Sequence, residues 1–255
     1  MGNLASAWSL GYRAPMQHRR ALVTGGTGAI GTAIVRLLAE RDVEVVFTYR
    51  SSLAKAEALS KETGARGVAL DLTSDQVADV VGELDLDIVV YASGPHVPMI
   101  HLSNVSPAAM REQLLQDTVG FYALVHAALP ALRRNRGNVV AVTTAATSRF
   151  ATRDGLSSVP KAAVEAAIVA FAKEEGRFGV RFNCVGPGML TDGMAERLIT
   201  NGDLDDRALA AAKGNIPLRT FGSARDVAAA VCFLASDAAG YISGQKLDVD
   251  GGYGC

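Results

Sequence analysis

Residues 25–31 read GGTGAIG, with Gly26, Gly28 and Gly31 spaced as G-x-G-x-x-G. Glycines at this spacing let a backbone turn sharply and approach a pyrophosphate, provided a strand precedes them and a helix follows. A helix starting there adds free N–H groups and the positive end of its dipole. An acid near the end of the next strand would hold a ribose 2′-OH, but FTYRSS (47–52) has none between Glu44 and Glu57. Arg50 and Ser51 suit a 2′-phosphate instead, so the pattern favours NADP(H) over NAD(H). Further on, SSVPK sets Ser157 four residues before Lys161. That pair reads either as a hydroxyl and an ammonium sharing one site, or as a helix start with Ser157 as N-cap and Pro160 in the first turn. His96 and His101, in SGPHVPMIHL, are the titratable loop residues closest to neutrality, and so are further acid–base candidates.

These residues need a frame, and the chain supplies one by alternation. ALVT (21–24) is a strand that enters the glycine turn, and TAIVRLLAER is the helix that leaves it. VEVVFTY (43–49), GVALD (67–71), LDIVVYAS (86–93), NVVAVTT (138–144), VRFNCV (180–185) and KLDVD (246–250) are further strands. Helical patterns separate them: LAKAEALSKE, SDQVADVVGEL, a long stretch from Pro107 with Ser106 as N-cap, KAAVEAAIVAFAKEE, and DVAAAVCFLAS after a Ser223-to-Asp226 capping box. Apolar strands alternating with helices predict one α/β domain: a Rossmann-like, doubly wound parallel sheet of about seven strands with helices on both faces.

The 255 residues, 49% apolar and 20% charged, can build a large core. A net charge of −1 gives no electrostatic case for nucleic acid or an anionic membrane, and no continuous apolar run approaches the ~20 residues of a membrane span. Cys184, Cys232 and Cys255 are odd in number and lack metal-ligand spacing, which suits a cytoplasmic protein without a metal site. Residues 1–18 read as a flexible leader and 19–255 as the domain. MGNLAS also matches the M-G-x-x-x-S acylation pattern, a six-residue match that recurs by chance.

With these residues in place, the chain from Arg20 to Gly252 resembles a classical short-chain dehydrogenase/reductase, of the 3-oxoacyl-carrier-protein-reductase type. TGGTGAIG (24–31) is similar to T-G-x-x-x-G-x-G with Ala29 for the middle glycine, and implies cofactor contacts from Gly25, Thr27, Gly28, Ile30 and Gly31. LDLTS (70–74) resembles the adenine-binding turn and implies Asp71 and Leu72; YASG (91–94), where the family has N-N-A-G, implies Ala92, Ser93 and Gly94. RFNCVGPGMLTDGM (181–194) implies that Pro187, Gly188, Leu190 and Thr191 line the nicotinamide, with a substrate lid over 189–215. Met189, Met194, Leu198 and Ile199 give that lid an apolar surface.

In the family, a tyrosine four residues before a lysine moves the substrate proton, a serine thirteen residues earlier polarises the carbonyl, and an asparagine supports a water relay. The resemblance carries these roles onto Ser157, Lys161, Thr144 and Asp117, so only the lysine keeps its type. An aliphatic hydroxyl is a far weaker acid than a phenol of pKa ~10. Three readings follow: an NADP(H)-dependent oxidoreductase of small-molecule or thioester-linked carbonyl substrates with a non-standard proton donor; a dehydratase, isomerase or cyclase on the same frame; or a catalytically silent cofactor-binding subunit. Asp117 could pair with Lys161 or act as a substitute acid. The family also implies a homo-oligomer, a tetramer or dimer.

Overall fold

The computed structural model describes residues 16, 18–95, 97–192 and 206–255. Most of the leader, His96, and the centre of the 189–215 segment with Met194, Leu198 and Ile199 lie outside the described residues. Seven strands form one sheet: β1 (Arg20–Thr24), β2 (Glu44–Tyr49), β3 (Arg66–Ala69), β4 (Ile88–Tyr91), β5 (Asn138–Val142), β6 (Arg181–Pro187) and β7 (Lys246–Val249). Their order is β3-β2-β1-β4-β5-β6-β7 and every pairing is parallel. Strand order reverses between β1 and β4, which opens a crevice at their C-terminal ends.

The sheet separates two cores, because successive strand residues point to opposite faces. On one face, Val23, Phe47, Ile88 and Val90 meet Ile34, Val35 and Leu38 of α1 (Ala29–Ala39) and Val227 and Val231 of α8 (Ala224–Ala235). On the other, Leu22, Val89, Tyr91 and Phe182 meet Val77 and Val81 of α3 (Gln76–Gly82), Phe121 and Leu124 of α5 (Gly120–Asn135), and Val164 and Ile168 of α6 (Gly155–Glu175). Helices α2 (Leu53–Thr63), α4 (Pro107–Leu114) and α7 (Asp206–Gly214) complete the set described. Two helix starts match their sequence signals. Ser106 accepts from Ala109 N at α4, and the Ser223–Asp226 capping box at α8 is complete.

Several boundaries differ from the sequence reading. β4 stops at Tyr91 rather than Ser93 and β5 at Val142 rather than Thr144, which instead leads into a 3₁₀ turn over Ala145–Thr147. Ordered packing also reaches back past Arg19: Met16 is buried in the first core, and His18 N donates to Asp42 O at 3.2 Å. The largest difference is at α6, which starts at Gly155 with Asp154 as N-cap. Ser157 is therefore the third helical residue, not the cap, and Pro160 sits inside the helix. Asp154 O takes over the start, accepting from Ser157 N at 3.0 Å and Ser158 N at 2.8 Å. With the 3₁₀ turn after it, this alanine-rich helix reaches the length and apolar composition of a membrane span, against the sequence expectation, but it lies packed along β6.

Candidate active site

The glycine turn joins β1 to α1 at the crevice, and close approach fixes its residues. Gly25 has φ +68°, and a Cβ there would lie 2.8 Å from Ala92 O and 2.9 Å from Ser93 Cα. A Cβ at Gly31 would come within 2.2 Å of Gly25 O, and one at Gly26 within 2.6 Å of the buried Phe47 ring. Gly28 is different: it is exposed, and its Cβ would meet only Gly25 O, at 3.3 Å. No side chain caps α1 and no acid lies in its first turn, so its leading N–H groups have no side-chain acceptor there. Thr32 Oγ1 ties the helix back to Gly26 O at 2.9 Å. Thr27 and Ile30 flank the turn, half-buried. The chain thus forms a concave, uncapped, anion-accepting edge, which fits a nicotinamide dinucleotide's pyrophosphate.

Around this edge the other sequence candidates fall into a single arc. Arg50 and Ser51 are exposed just past β2. Past β3, Asp71 Oδ1 accepts from Thr73 N at 2.9 Å and Thr73 Oγ1 at 2.8 Å. Those bonds, with the nearby Arg50 charge, hold its carboxyl below the usual range despite some desolvation. Leu72 is buried beside it, under Gly120. Ala92, Ser93 and Gly94 follow β4. On the far side, Pro187 ends β6, Gly188 N donates to Val249 O at 3.0 Å, and Leu190 pairs with Gly222 as an isolated bridge. Thr191 N donates to Gly222 O at 2.8 Å. Met189 is half-buried in this segment.

The charged centre lies beneath the arc. Lys161 Nζ donates to Asp117 Oδ1 at 2.9 Å and to Ser93 O at 3.1 Å. Asp117 is 1% exposed and Lys161 8%. The carboxylate stands on a π-helical turn, Leu115–Val119, that joins α4 to α5 and packs against α6. Such a turn adds a residue to the helix and re-aims its side chains. Tyr91, at the end of β4, is part of this centre. Its hydroxyl donates to the same Oδ1 at 2.6 Å and to Asp117 O at 3.0 Å, and its ring lies 4.8 Å from Lys161 Nζ. Burial first, and then the Asp117 charge, raise its pKa well above the ordinary phenol value. Asp117 Oδ1 thus takes two donors at once, the Lys161 ammonium and the Tyr91 hydroxyl.

Thr144 lies where β5 runs into a tight turn. Its hydroxyl oxygen accepts from Ala146 N at 3.1 Å, capping that turn. Ser157 is half-buried on the first turn of α6. His101 is exposed and its Nε2 accepts from Arg153 Nε at 3.4 Å. One residue went unnoticed in the sequence. Asp154, only 8% exposed, is pushed up to about 6, mainly by burial and partly opposed by a hydrogen bond with the Ser157 side chain. Its position in DGLSS reads simply as a turn followed by a cap.

Comparison with known proteins agrees with this geometry. A family model described as enoyl-(acyl carrier protein) reductase matches residues 26–254. The chain is 33% identical to the L-fucose dehydrogenase of Mus musculus over 91% of its own length and 86% of that enzyme's. It is 31% identical to the 3-oxoacyl-[acyl-carrier-protein] reductase FabG of Staphylococcus epidermidis, over 92% of this chain and 98% of that one. A blue fluorescent protein from a metagenomic library, solved in complex with NADPH, superposes with a TM-score of 0.85 at 26% identity, covering 94% of this chain and 100% of that one. With a seven-stranded parallel sheet, a glycine turn at its switch point and relatives matched along nearly their whole length, the chain belongs to the short-chain dehydrogenase/reductase family.

Proposed function

We propose that this protein is an NADP(H)-dependent oxidoreductase that interconverts carbonyl and alcohol groups, ketoreductase-like, without the usual phenolic proton donor. The observation that carries this reading is the uncapped glycine turn at the β1/β4 crevice, with Arg50 exposed at the end of β2 and no acid in its place. A 2′-phosphate would be recognised by Arg50 and Ser51, an adenine by Asp71 and Leu72, and a pyrophosphate by the backbone of Gly25, Thr27, Gly28, Ile30 and Gly31. The NADPH complex of the fluorescent relative and the carrier-linked substrate in the name of the staphylococcal relative support the cofactor and substrate class. A nicotinamide bound in this crevice would supply or take up a hydride.

The chain's residues would do the rest. An ammonium has three donors, and Asp117 and Ser93 O use two of Lys161's, so one is left for a ribose hydroxyl. Ala92, Ser93, Gly94, Pro187, Gly188, Leu190 and Thr191 wall the nicotinamide end. The Thr144 hydroxyl would polarise the carbonyl, and Ser157 would stand in the proton donor's place. Asp117 carries two donors on one oxygen, which opposes its use as the base of a non-redox reaction. The two buried free thiols, Cys184 and Cys232, suit a reducing cytoplasm. Exposed Val119, Tyr122 and Val169 on α5, α6 and the turn before them suit assembly into a dimer or tetramer.

The test is NADPH fluorescence on the full-length protein, followed by NADPH oxidation over a panel of ketones, quinones and β-ketothioesters. Binding in the micromolar range with turnover of at least one carbonyl is expected. Absence of binding at high micromolar NADPH would overturn the reading.

A further inference from the structure

The charge logic at Lys161 leaves a gap. A lysine lowers a nearby phenol's pKa only while its positive charge dominates, and here Asp117 neutralises it and raises Tyr91. Tyr91 is also fully buried and committed to Asp117. Neither can deliver a proton to a substrate oxygen. Ser157 occupies the donor's position, but an alcohol needs its proton replaced as it leaves.

Asp154 is placed to replace it. It lies three residues before Ser157, so both side chains share one face of α6. An N-cap carboxylate normally accepts a bond from the first helical turn, yet the Asp154 carboxyl makes none. This buried carboxyl lies one helical turn from Ser157, whose backbone N donates to the Asp154 carbonyl at 3.0 Å. Gly155 lets the 102–104 turn close over this corner; a Cβ there would come within 2.9 Å of Leu102.

We propose that Asp154 is the proton reservoir of the site and acts through the Ser157 hydroxyl. The inference rests on the oxidoreductase reading. In the reducing direction, where a bound reduced nicotinamide would supply the hydride to the carbonyl carbon, the Ser157 hydroxyl would give its proton to the carbonyl oxygen. The Asp154 carboxyl O–H breaks as its proton restores that hydroxyl. The products are an alcohol, the oxidised cofactor and an Asp154 carboxylate, which water reprotonates. Asp154 itself touches no reacting atom.

The group is well isolated from other titrating charges. On its own loop Arg153 is exposed and bonded to His101, which precedes the covering turn. On α4, Arg111 and Glu112 are exposed, and Glu112 bonds Gln116. The neighbouring π-helical turn and α6 contribute the opposite charges of the Asp117–Lys161 pair, with Tyr91 behind it.

The test uses the full-length protein, NADPH and the best-reduced member of the carbonyl panel. Wild-type kcat/KM for reduction should fall about tenfold per pH unit above pH ~6, with oxidation of the product alcohol rising over the same range. Asp154→Asn should lower reduction at pH 5.5 about 10²-fold and flatten the profile, with NADPH affinity unchanged. Ser157→Ala should flatten it likewise, which covers the case in which Asp154→Asn does not fold. A wild-type profile that persists unchanged in either folded variant overturns the proton path and leaves the oxidoreductase reading standing. NADPH binding with no wild-type turnover of any carbonyl overturns that reading, and the proton path falls with it.

Discussion

Removing the Asp117 carboxylate is the sharpest test of how the charged centre is built. Lys161 Nζ and Asp117 Oδ1 are 2.9 Å apart and almost wholly withdrawn from water. At that separation the attraction is roughly 6 kcal/mol for an effective dielectric of 20, and desolvation of both ions offsets much of it. The single substitution Asp117→Ala leaves the desolvation of Lys161 uncompensated, while Tyr91 keeps only the Asp117 backbone carbonyl as acceptor. Loss of one partner of a buried pair costs about 3–5 kcal/mol. For a chain of this length each kcal/mol moves Tm by about 2–4 °C, so Tm should fall by roughly 6–20 °C. Replacing both partners, Asp117→Leu with Lys161→Met, removes both desolvation costs and should recover most of the loss. Urea unfolding at constant m and differential scanning calorimetry read both effects. A single variant within about 1 kcal/mol of wild type, or a double variant no better than the single, would refute the buried-pair account.

Three further outcomes follow from the same geometry. Asp154 rises from 3.8 to about 6 on folding, so the native state binds its proton more tightly than the unfolded chain does. That contribution to stability is complete below pH ~4 and lost as pH rises through about 6, so Asp154→Asn should stabilise at pH 7.5 by at most about 3 kcal/mol and have little effect at pH 3.5; urea midpoints at the two pH values check it. Arg50→Ala should weaken NADPH at least about tenfold relative to NADH, read as the ratio of the two dissociation constants by fluorescence titration; an unchanged ratio would remove Arg50 from the 2′-phosphate site. Ser157→Tyr alone should gain little activity, because Asp117 already neutralises the lysine that a phenol would need. Paired with Asp117→Asn it should gain about 10²-fold in kcat, and a full gain from the single variant would contradict that charge argument.

The sheet was legible because strands buried on both faces read as apolar runs, and five of the seven do so plainly. The two edge strands, β3 and β7, are the weakest, short and without a fully buried residue. The glycine turn was legible for a similar reason, since Gly25 and Gly31 answer backbone contacts, and Gly26 a contact with the Phe47 ring, that leave no room for a side chain. Spacing alone did not reveal the start of α6. Asp154 and Ser157 are both good capping types, and Pro160 drew the expected start to the later one. The structure prefers Asp154 because its carbonyl collects two N–H groups there. Tyr91 and Asp117 were separately visible, but their contact depends on a π-helical turn that no periodicity marks.

That contact also changes what the substitutions mean. Counted along the chain, a phenol is missing from α6 and an amide has become an acid; in space, a phenol stands beside the lysine after all, on β4. It points to Asp117 rather than to open space, and the carboxylate raises its pKa where a lysine alone would lower it. Tyr91, Asp117 and Lys161 therefore form a closed set: the phenol and the ammonium donate to the same oxygen, and changing any one leaves a buried group without its partner. A closed set can anchor a cofactor ribose through the remaining lysine donor, but it has no acidic proton to give. If the site reduces carbonyls, its proton must enter from outside the set. Among the described residues of α6, Asp154 is the buried carboxyl left without an ionic partner, one turn from the hydroxyl in the donor's place.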